Sequence, residues 1–296
     1  MSRSRAWPGL RTADVARLRC PETHEPLVFV GRSRNDRLWD GELISGWTSR
    51  RWPVRRGHVR LFREDRVGAP DRFMRRIYDN AAVLHDPAVK IAMPLFQLQG
   101  SERAARDFVI DRLELGALRK RPDGEPVRIL EVSLGTGANV PHLLRKLPGD
   151  VPVEWWGLDL SQSMLARGAD RMRRLGLDPH LLLADAHRLP FADHQFDRVF
   201  HVGGINGFSD PGLALAELAR VAKPGTPVVV SDEQLQAGIT DPYRRAMFAL
   251  VTFYDDDPRS PVDLVPPGAV DVRDEQASPF FYCLSFRMPG RVAGPP

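Results

Sequence analysis

Five short apolar segments alternate with stretches of helical character between residues 127 and 233. Helical stretches begin near residues 137, 161 and 211, and the strand-like segments are VRILEV (127–132), VEWWGLDL (153–160), HLLLAD (180–185), FDRVFHVG (196–203) and TPVVVSDE (226–233). Strands that are apolar throughout are typical of a parallel sheet with helices on both faces. The pattern therefore predicts an α/β domain.

The segments on either side of this core have different characters. After it, GAVDVRDEQ and FFYCLSFRM are separated only by ASP, which predicts a hairpin whose last strand enters the sheet antiparallel. Before it, residues 71–120 have helical spacing, and residues 18–62 contain short strand-like runs between turns. The predicted fold is α/β, with a Rossmann-like, seven-stranded, mostly parallel sheet, an antiparallel last strand and a small β-rich N-terminal module.

We expect three parts: a β-rich module at 1–66, a helical cap or linker at 67–122 and the main domain at 123–296. The front module resembles the zinc-ribbon-like domain that precedes some methyltransferases, in the segments LRCPETHEPL and WPVRRGHVRLF. A structural zinc ion needs four nitrogen or sulfur ligands, and only Cys20, His24 and His58 are available. The module is therefore expected to be degenerate, and the chain to bind no metal.

Composition limits the setting in which the chain works. No run of about 18 apolar residues exists to cross a membrane. The two cysteines, Cys20 and Cys283, lie at opposite ends of the chain, and no apolar leader is evident, so we expect a cytoplasmic protein. Residues 1–76 hold 18 arginines against nine acidic residues, which is either a solvated basic face or a nucleic-acid-binding arm.

A glycine-bearing turn follows the first strand of the predicted sheet, in EVSLGTGAN. Glycines at such a turn allow positive φ and close backbone approach, and the next helix offers its N-terminal amides. Acidic residues end three consecutive strands: Glu131, then Asp159 at 22 residues after Gly137, then Asp185. Asp159 is at the spacing at which a carboxylate accepts hydrogen bonds from ribose hydroxyl groups. Three such acids at the ends of consecutive strands are hard to explain as helix caps.

In these motifs the chain resembles the class I S-adenosylmethionine-dependent methyltransferases, and most closely the ubiquinone and menaquinone biosynthesis branch. The resemblance covers about residues 127–287, through ILEVSLGTGAN, WWGLDLSQSML, LLADAHRLPFADHQFDRVF, LAELARVAKPGTPVVVSDE and FFYCLSFRMP. It implies S-adenosyl-L-methionine as cofactor, with S-adenosyl-L-homocysteine as product. It also implies a cofactor site formed by Tyr78, Glu131, Ser133, Gly135, Gly137, Asp159, Leu160, Met164, Asp185, Ala186 and His201.

One residue departs from the family pattern. Ser133 stands where the family has the first glycine of its loop, so the methionine part of the cofactor could sit differently. A dinucleotide site is the competing interpretation of a glycine loop with a distant acid. It lacks the third glycine, because position 140 is Val, and it does not explain ADAHRLPF.

The candidate catalytic residue is His201, which follows the fourth strand in VFHVGGINGF and is expected to face the methyl group. A base is needed only if the acceptor must lose a proton, and His201 could equally bond a backbone carbonyl or the cofactor carboxylate. Candidate substrate residues are Asn206 in the same loop, and Phe248 and Tyr254 in a predicted helix at 241–256. Met247, Leu250 and Val251 are expected on one side of that helix.

Three functions remain open from the sequence. The first is methyl transfer to a small-molecule acceptor that is aromatic, quinone-like or another specialised metabolite, with the front module as a lid or as the surface of a homodimer. The second is methylation of rRNA or tRNA bases, with residues 1–76 binding phosphates. The third is a repurposed cofactor-binding protein that transfers no methyl group.

Overall fold

The apolar segments form the centre of a sheet to which eleven strands of the described residues contribute. The computed structural model describes residues 9–80, 102–255 and 257–290. The strands are β1 (Leu27–Arg34), β2 (Arg37–Ser45), β3 (Arg51–Arg55), β4 (His58–Leu61), β5 (Val127–Val132), β6 (Val153–Asp159), β7 (His180–Ala184), β8 (Arg198–Val202), β9 (Pro227–Ser231), β10 (Val270–Ser278) and β11 (Phe281–Arg287).

The helices are placed between these strands as the alternation predicts. The first helix, α1, covers residues 69–80 of the described part. The others are α2 (Glu102–Asp111), α3 (Val140–Lys146), α4 (Gln162–Arg174), α5 (Pro211–Val221) and α6 (Pro242–Val251). No helix among the described residues is long and apolar enough to cross a membrane.

The strand order is β1-β2-β3-β4-β7-β6-β5-β8-β9-β11-β10. From β7 to β9 the pairing is parallel throughout, and β11 pairs antiparallel with both β9 and β10. These seven strands, β5 to β11, are the Rossmann-like sheet that was predicted, and the antiparallel last strand is confirmed. The strand order reverses direction at β5, so the crevice beside its carboxyl end is the expected ligand position.

Both faces of the central sheet are buried, which explains why its strands are apolar throughout. Along β5, Val127 and Ile129 pack with residues of α2, α3 and α4, whereas Leu130 and Val132 pack on the α5 side. Successive side chains of a strand point to opposite faces, so a strand covered on both faces carries apolar residues in both orientations.

The front strands continue the same sheet. β1 to β4 form antiparallel pairs in sequence, and β4 then pairs parallel with β7 through Arg60 opposite Leu183 and Leu61 opposite Ala184. Buried residues of the front strands share one apolar cluster with the central strands and α5. The β-rich character of this segment agrees with the sequence, while the boundaries 1–66, 67–122 and 123–296 and the zinc-ribbon likeness stay predictions.

One predicted helical segment is outside the described part of the chain, and helix α6 differs in part from its prediction. The helical pattern in PAVKIAMPLFQLQG lies outside the described residues. In α6 the expected apolar side is only partly right: Leu250 is 61% exposed, whereas Phe248 is buried and its ring lies 5.4 Å from that of Phe280. The helix is rotated so that Phe248, rather than Leu250, contacts the body of the protein.

Candidate functional site

A cavity of about 260 Å³ opens at the carboxyl ends of the parallel strands. The candidate site residues that line it come from α1, from the loop after β5, from the ends of β6 and β7, from the first turn of α4 and from the segment after α6. They are Tyr78, Ser133, Gly135, Asp159, Leu160, Met164, Asp185, Ala186 and Tyr254. Glu131, Gly137, His201, Asn206 and Phe248 are not among its lining residues.

The loop between β5 and α3 bends through three left-handed residues. Ser133, Gly135 and Gly137 have φ values of 56°, 57° and 69°. Glycine adopts this conformation without cost, whereas serine is strained in it. A second glycine feature lies on α4, where a Cβ atom added to Gly168 would meet the carbonyl oxygen of Gly135 at 2.9 Å. Gly168 therefore lets α4 approach the loop closely, a requirement that the sequence analysis missed.

Asp159 ends β6 at the floor of the cavity and is tied to the loop. Its two carboxylate oxygens accept the backbone N–H groups of Gly135 and Ser161, each at 2.8 Å. Burial raises the pKa of Asp159 to about 6, against the opposing effect of these hydrogen bonds. Each oxygen keeps a further lone pair, so the carboxylate can still accept the hydroxyl groups of a ligand.

Asp185 directly follows β7, and its side chain is hydrogen-bonded within its own loop. The backbone N–H and the Nδ1 atom of His187 lie 3.0 and 2.6 Å from Oδ1 of Asp185. The Nε2 atom of His187 accepts the backbone N–H of Asp210 at 3.3 Å, so its Nδ1 carries the proton in the neutral ring. His187 thus orients the Asp185 carboxylate within the cavity wall, a role that the sequence did not indicate.

Glu131 lies behind the cavity wall. Its Oε1 atom accepts the side-chain N–H of Asn139 at 2.7 Å, and burial raises its pKa to about 8. Asn139 itself lines the cavity, and its Oδ1 atom accepts a hydrogen bond from Arg106 of α2. Arg106 also lines the cavity and was missed, because nothing in the sequence distinguishes it from the other arginines.

His201 does not line the cavity. Its ring is completely buried, its Nδ1 lies 3.0 Å from the carbonyl oxygen of Val132, and the ring of Phe208 is 5.2 Å away. Burial lowers the pKa of His201 to about 4. Of the alternatives open from the sequence, this geometry matches a bond to a backbone carbonyl and offers no support for direct proton transfer to or from an acceptor.

The far end of the cavity is formed by residues beyond β8 and β9. Here the Tyr254 hydroxyl donates to Oε2 of Glu233 at 2.7 Å. Asn206 donates its side-chain N–H to the backbone carbonyl of Glu233 at 2.7 Å and its backbone N–H to Asp232 at 2.8 Å. We call the part of the cavity lined by Tyr78, Glu233, Tyr254 and Phe281 the acceptor end.

Helix α1 lies over the cavity and is attached at two points. Asp79 accepts the hydroxyl of Ser161 at 2.6 Å, next to Asp159. Asp71, one of the buried acids, accepts the backbone N–H of Ser209 at 3.3 Å. Between them Met74, Arg75 and Tyr78 line the cavity.

One group of described residues has the spacing of metal ligands, at the opposite ends of the strands from the cavity. Asp14, Glu154 and His180 have ligand atoms within 4.8 Å of one another. The Nδ1 atom of His180 lies 2.8 Å from Asp14, and Arg128 donates to Glu154 at 2.8 Å. These contacts join the front segment to β6 and β7, and the absence of a metal stays a prediction.

The fold and the site define a class I S-adenosylmethionine-dependent methyltransferase domain. Residues 129–225 match the family model described as a methyltransferase domain. Among curated proteins, the ubiquinone/menaquinone biosynthesis C-methyltransferase of Burkholderia mallei is 37% identical over 131 residues, which are 44% of this chain and 50% of that protein. Its counterpart from Burkholderia thailandensis matches to the same extent. The matched region thus spans about half the length of these relatives.

Solved structures show the same fold at low sequence identity. The cyclase SpnF is 17% identical with a TM-score of 0.53, and the match covers 75% of this chain and 98% of SpnF. Phosphoethanolamine N-methyltransferase 2 of Haemonchus contortus, in complex with S-adenosyl-L-methionine, is 14% identical with a TM-score of 0.53. That match covers 80% of this chain and 62% of the other.

At the level of the domain, the family match and the curated relatives confirm the predicted resemblance, a methyltransferase domain with S-adenosyl-L-methionine as its cofactor. The polar side chains that line the cavity fit this cofactor. Asp159 and Asp185 offer carboxylates to hydroxyl and amino groups, and Arg106 offers a cation to a carboxylate. The reaction of the whole chain, its acceptor and its partners are matters for proposal.

Proposed function

We propose that this protein transfers the methyl group of S-adenosyl-L-methionine to a small molecule bound at the acceptor end. The observation that supports this most is the continuity of a single cavity. It joins Asp159 and Asp185, at the ends of β6 and β7, to Glu233 and Tyr254, beyond β9 and α6. A donor and an acceptor bound in the two parts would therefore meet without crossing bulk water.

The cofactor's parts are assigned to side chains by their chemistry. Asp159 accepts the ribose hydroxyls, Met164 and Leu160 pack against the adenine, and Asp185 with the backbone N–H of Ala186 binds the adenine edge. The loop residues Ser133 and Gly135 surround the amino-acid end, with Gly137 and Glu131 supporting the loop from behind. Arg106 binds the cofactor carboxylate, because charge-assisted bonds between arginine and a carboxylate are strong.

The sulfonium group of the cofactor, when bound, supplies an already activated methyl group. The chain therefore has to align the acceptor with that group and to exclude water. Helix α1 performs both tasks in this proposal, because Asp71 and Asp79 attach it over the cavity and Tyr78 lies between the two parts. The proposal assigns no proton transfer to His201.

A small molecule is favoured over RNA because the cavity lies beneath α1 and because arginines of the front segment are paired. Arg11 and Arg37 both contact the Asp178 carboxylate, at 2.5 and 2.6 Å. Arg75, which lines the cavity, forms two hydrogen bonds of 2.9 and 3.0 Å to Glu64. These pairs leave less positive charge for phosphates than the composition alone implies.

The test is transfer of a labelled methyl group from S-adenosyl-L-methionine into an extract of the source organism, separated into RNA, protein and small molecules. We expect label in the small-molecule fraction with the native chain and much less with Asp159→Asn. Asp193→Asn, which alters an exposed carboxylate paired with Arg220, serves as the matched control and should behave as the native chain. Label in RNA would contradict the proposal, and cofactor binding with no label in any fraction would indicate a repurposed protein.

A further inference from the structure

The acceptor end carries a pair of acids that the cofactor assignment leaves unused. Asp232 and Glu233 directly follow β9, and Glu233 lines the cavity whereas Asp232 is fully buried behind it. Oε2 of Glu233 accepts the Tyr254 hydroxyl at 2.7 Å, and Oδ2 of Asp232 accepts the backbone N–H of Asn206 at 2.8 Å. The two acids are neighbours in the chain, and the charge of Glu233 acts on the Asp232 carboxyl group.

Burial, and the adjacent charge of Glu233, raise the pKa of Asp232 well above its ordinary value. Consistently, Oδ1 of Asp232 is buried without an N–H or O–H donor from the described residues. The neutral form of Asp232 is therefore favoured, and the carboxylate that faces the cavity is that of Glu233.

Nothing in the described part of the chain neutralises this charge. No lysine, arginine or histidine of these residues forms an ion pair with Asp232 or Glu233, and the two arginines that line the cavity contact Glu64 and Asn139 instead. The aromatic rings of Tyr78, Tyr254 and Phe281 complete the surroundings. A half-buried carboxylate in a cavity that aromatic side chains also line favours a cationic ligand, because both the charge and the rings attract it.

The acceptor end also adjoins the ribose-binding part of the cavity. The pKa of the Tyr78 hydroxyl is raised, first by burial and then by the nearby acids Glu233, Asp232 and Asp159. One phenol group is thus within electrostatic range of the acids at both ends. A group held at Glu233 would share this cavity with a cofactor held at Asp159, and Tyr78 lines it as well.

We propose that the methyl acceptor is a small amine, whose protonated nitrogen binds the Glu233 carboxylate between the aromatic rings. This inference rests on the proposed function and specifies its substrate class. Before transfer, the ammonium group gives one proton to Glu233. The nitrogen lone pair then forms the new N–CH3 bond while the C–S bond breaks, its electron pair returns to sulfur as a neutral thioether, and the proton on Glu233 passes to solvent.

The test is calorimetric titration of the complex with S-adenosyl-L-homocysteine, using three matched probes: 2-phenylethylamine, 2-phenylethanol and phenylacetate. We expect the amine to bind at least about tenfold more tightly than the alcohol, and the acid to bind least. Glu233→Gln should remove this preference by weakening the amine about tenfold, while the affinity for the alcohol stays the same. Thermal unfolding of the variant establishes that it is folded.

Two further variants test whether the charge of Glu233 is responsible for the preference for the amine. Tyr254→Phe keeps the carboxylate charge and should keep the preference for the amine. Glu42→Gln, which alters a carboxylate of β2 paired with Arg51, should leave all affinities at native values.

The outcomes separate this inference from the proposed function. An alcohol that binds as tightly as the amine would overturn the amine assignment and favour a hydroxyl-bearing acceptor, and so would a preference that persists in Glu233→Gln. Loss of affinity for S-adenosyl-L-methionine but not for S-adenosyl-L-homocysteine in Glu233→Gln would also overturn it, because the carboxylate would then face the sulfonium. Failure of the native chain to bind either cofactor form would instead refute the proposed function.

Discussion

The Asp159 carboxylate accepts the backbone N–H of Gly135 at 2.8 Å, so the end of β6 and the loop after β5 are held as one unit. Asp159→Asn keeps one acceptor oxygen but removes the charge. We expect affinity for S-adenosyl-L-methionine to fall by about 10- to 100-fold, corresponding to the loss of a charge-assisted hydrogen bond worth about 1.5–3 kcal/mol. Titration calorimetry measures this directly, and an unchanged affinity would exclude Asp159 as the ribose ligand.

The same carboxylate predicts a pH dependence of cofactor binding. In the free protein the pKa of Asp159 is about 6, raised by burial, whereas bound hydroxyl groups would stabilise its charged form. Binding therefore requires the ionised group. Affinity should be constant above about pH 7 and fall by up to about tenfold per pH unit below about pH 6. Calorimetry across this range is the measurement, and Asp159→Asn should not show the decrease.

Glu131 predicts a pH dependence of folding stability. Its pKa is raised by burial from 4.5 to about 8 in the folded chain. Between these values the folded chain holds a proton that the unfolded chain has released, so stability falls as the pH rises. The slope is at most about 1.4 kcal/mol per pH unit.

Glu131→Gln removes this titration while it keeps the acceptor for Asn139. Urea unfolding should then find the variant gaining stability over the native chain as the pH is raised from about 5 to about 8. Taking the difference between the two proteins cancels the other titrating groups. A difference that does not change with pH would contradict the raised pKa.

Ser133 occupies a left-handed conformation with φ 56°. Ser133→Gly should raise the free energy of unfolding by about 0.5–1 kcal/mol, because relief of the strain outweighs the greater freedom of glycine in the unfolded chain. Ser33→Gly, in the exposed part of strand β1, is the matched control and should lower it. Urea unfolding of both variants measures these free energies. A destabilised Ser133→Gly would show that the serine side chain contributes contacts of its own.

Arg106 is assigned to the carboxylate of the cofactor. Arg106→Met should weaken binding of S-adenosyl-L-methionine by about tenfold, the effect of one charge-assisted bond, but should leave binding of 5′-methylthioadenosine, which lacks the amino-acid part, unchanged. Arg103→Met, an exposed arginine on the same helix, is the control. Equal losses for both ligands would place Arg106 elsewhere in the site.

The sequence predicted the features that depend on local pattern. The first central strand was predicted with its observed limits, 127–132, because an apolar run between turn residues specifies a buried strand. The three acids at strand ends followed from the geometry of a parallel sheet, whose carboxyl ends meet at one edge. The structure places two of these acids, Asp159 and Asp185, in the cavity wall, and the third, Glu131, behind it.

The features that depend on three-dimensional arrangement were not predictable in this way. His201 was expected to face the methyl group, but side chains alternate between the faces of a strand, and it is Val202 that lines the cavity. Arg106 reaches the site because α2 packs beside α3, which no spacing in the sequence encodes. Gly168 meets the loop from another helix, and its role depends on how closely α4 approaches.

The parallel pairing of β4 with β7 has a consequence for any attempt to prepare the main domain alone. Cutting the chain before residue 67 would remove β4 and leave the backbone groups on one edge of the apolar strand β7, at Leu183 and Ala184, without a strand partner. Strand borders of that kind recruit other chains, so such a fragment should aggregate instead of forming a minimal enzyme. The front strands therefore cover this edge of the sheet and prevent it from pairing with other chains.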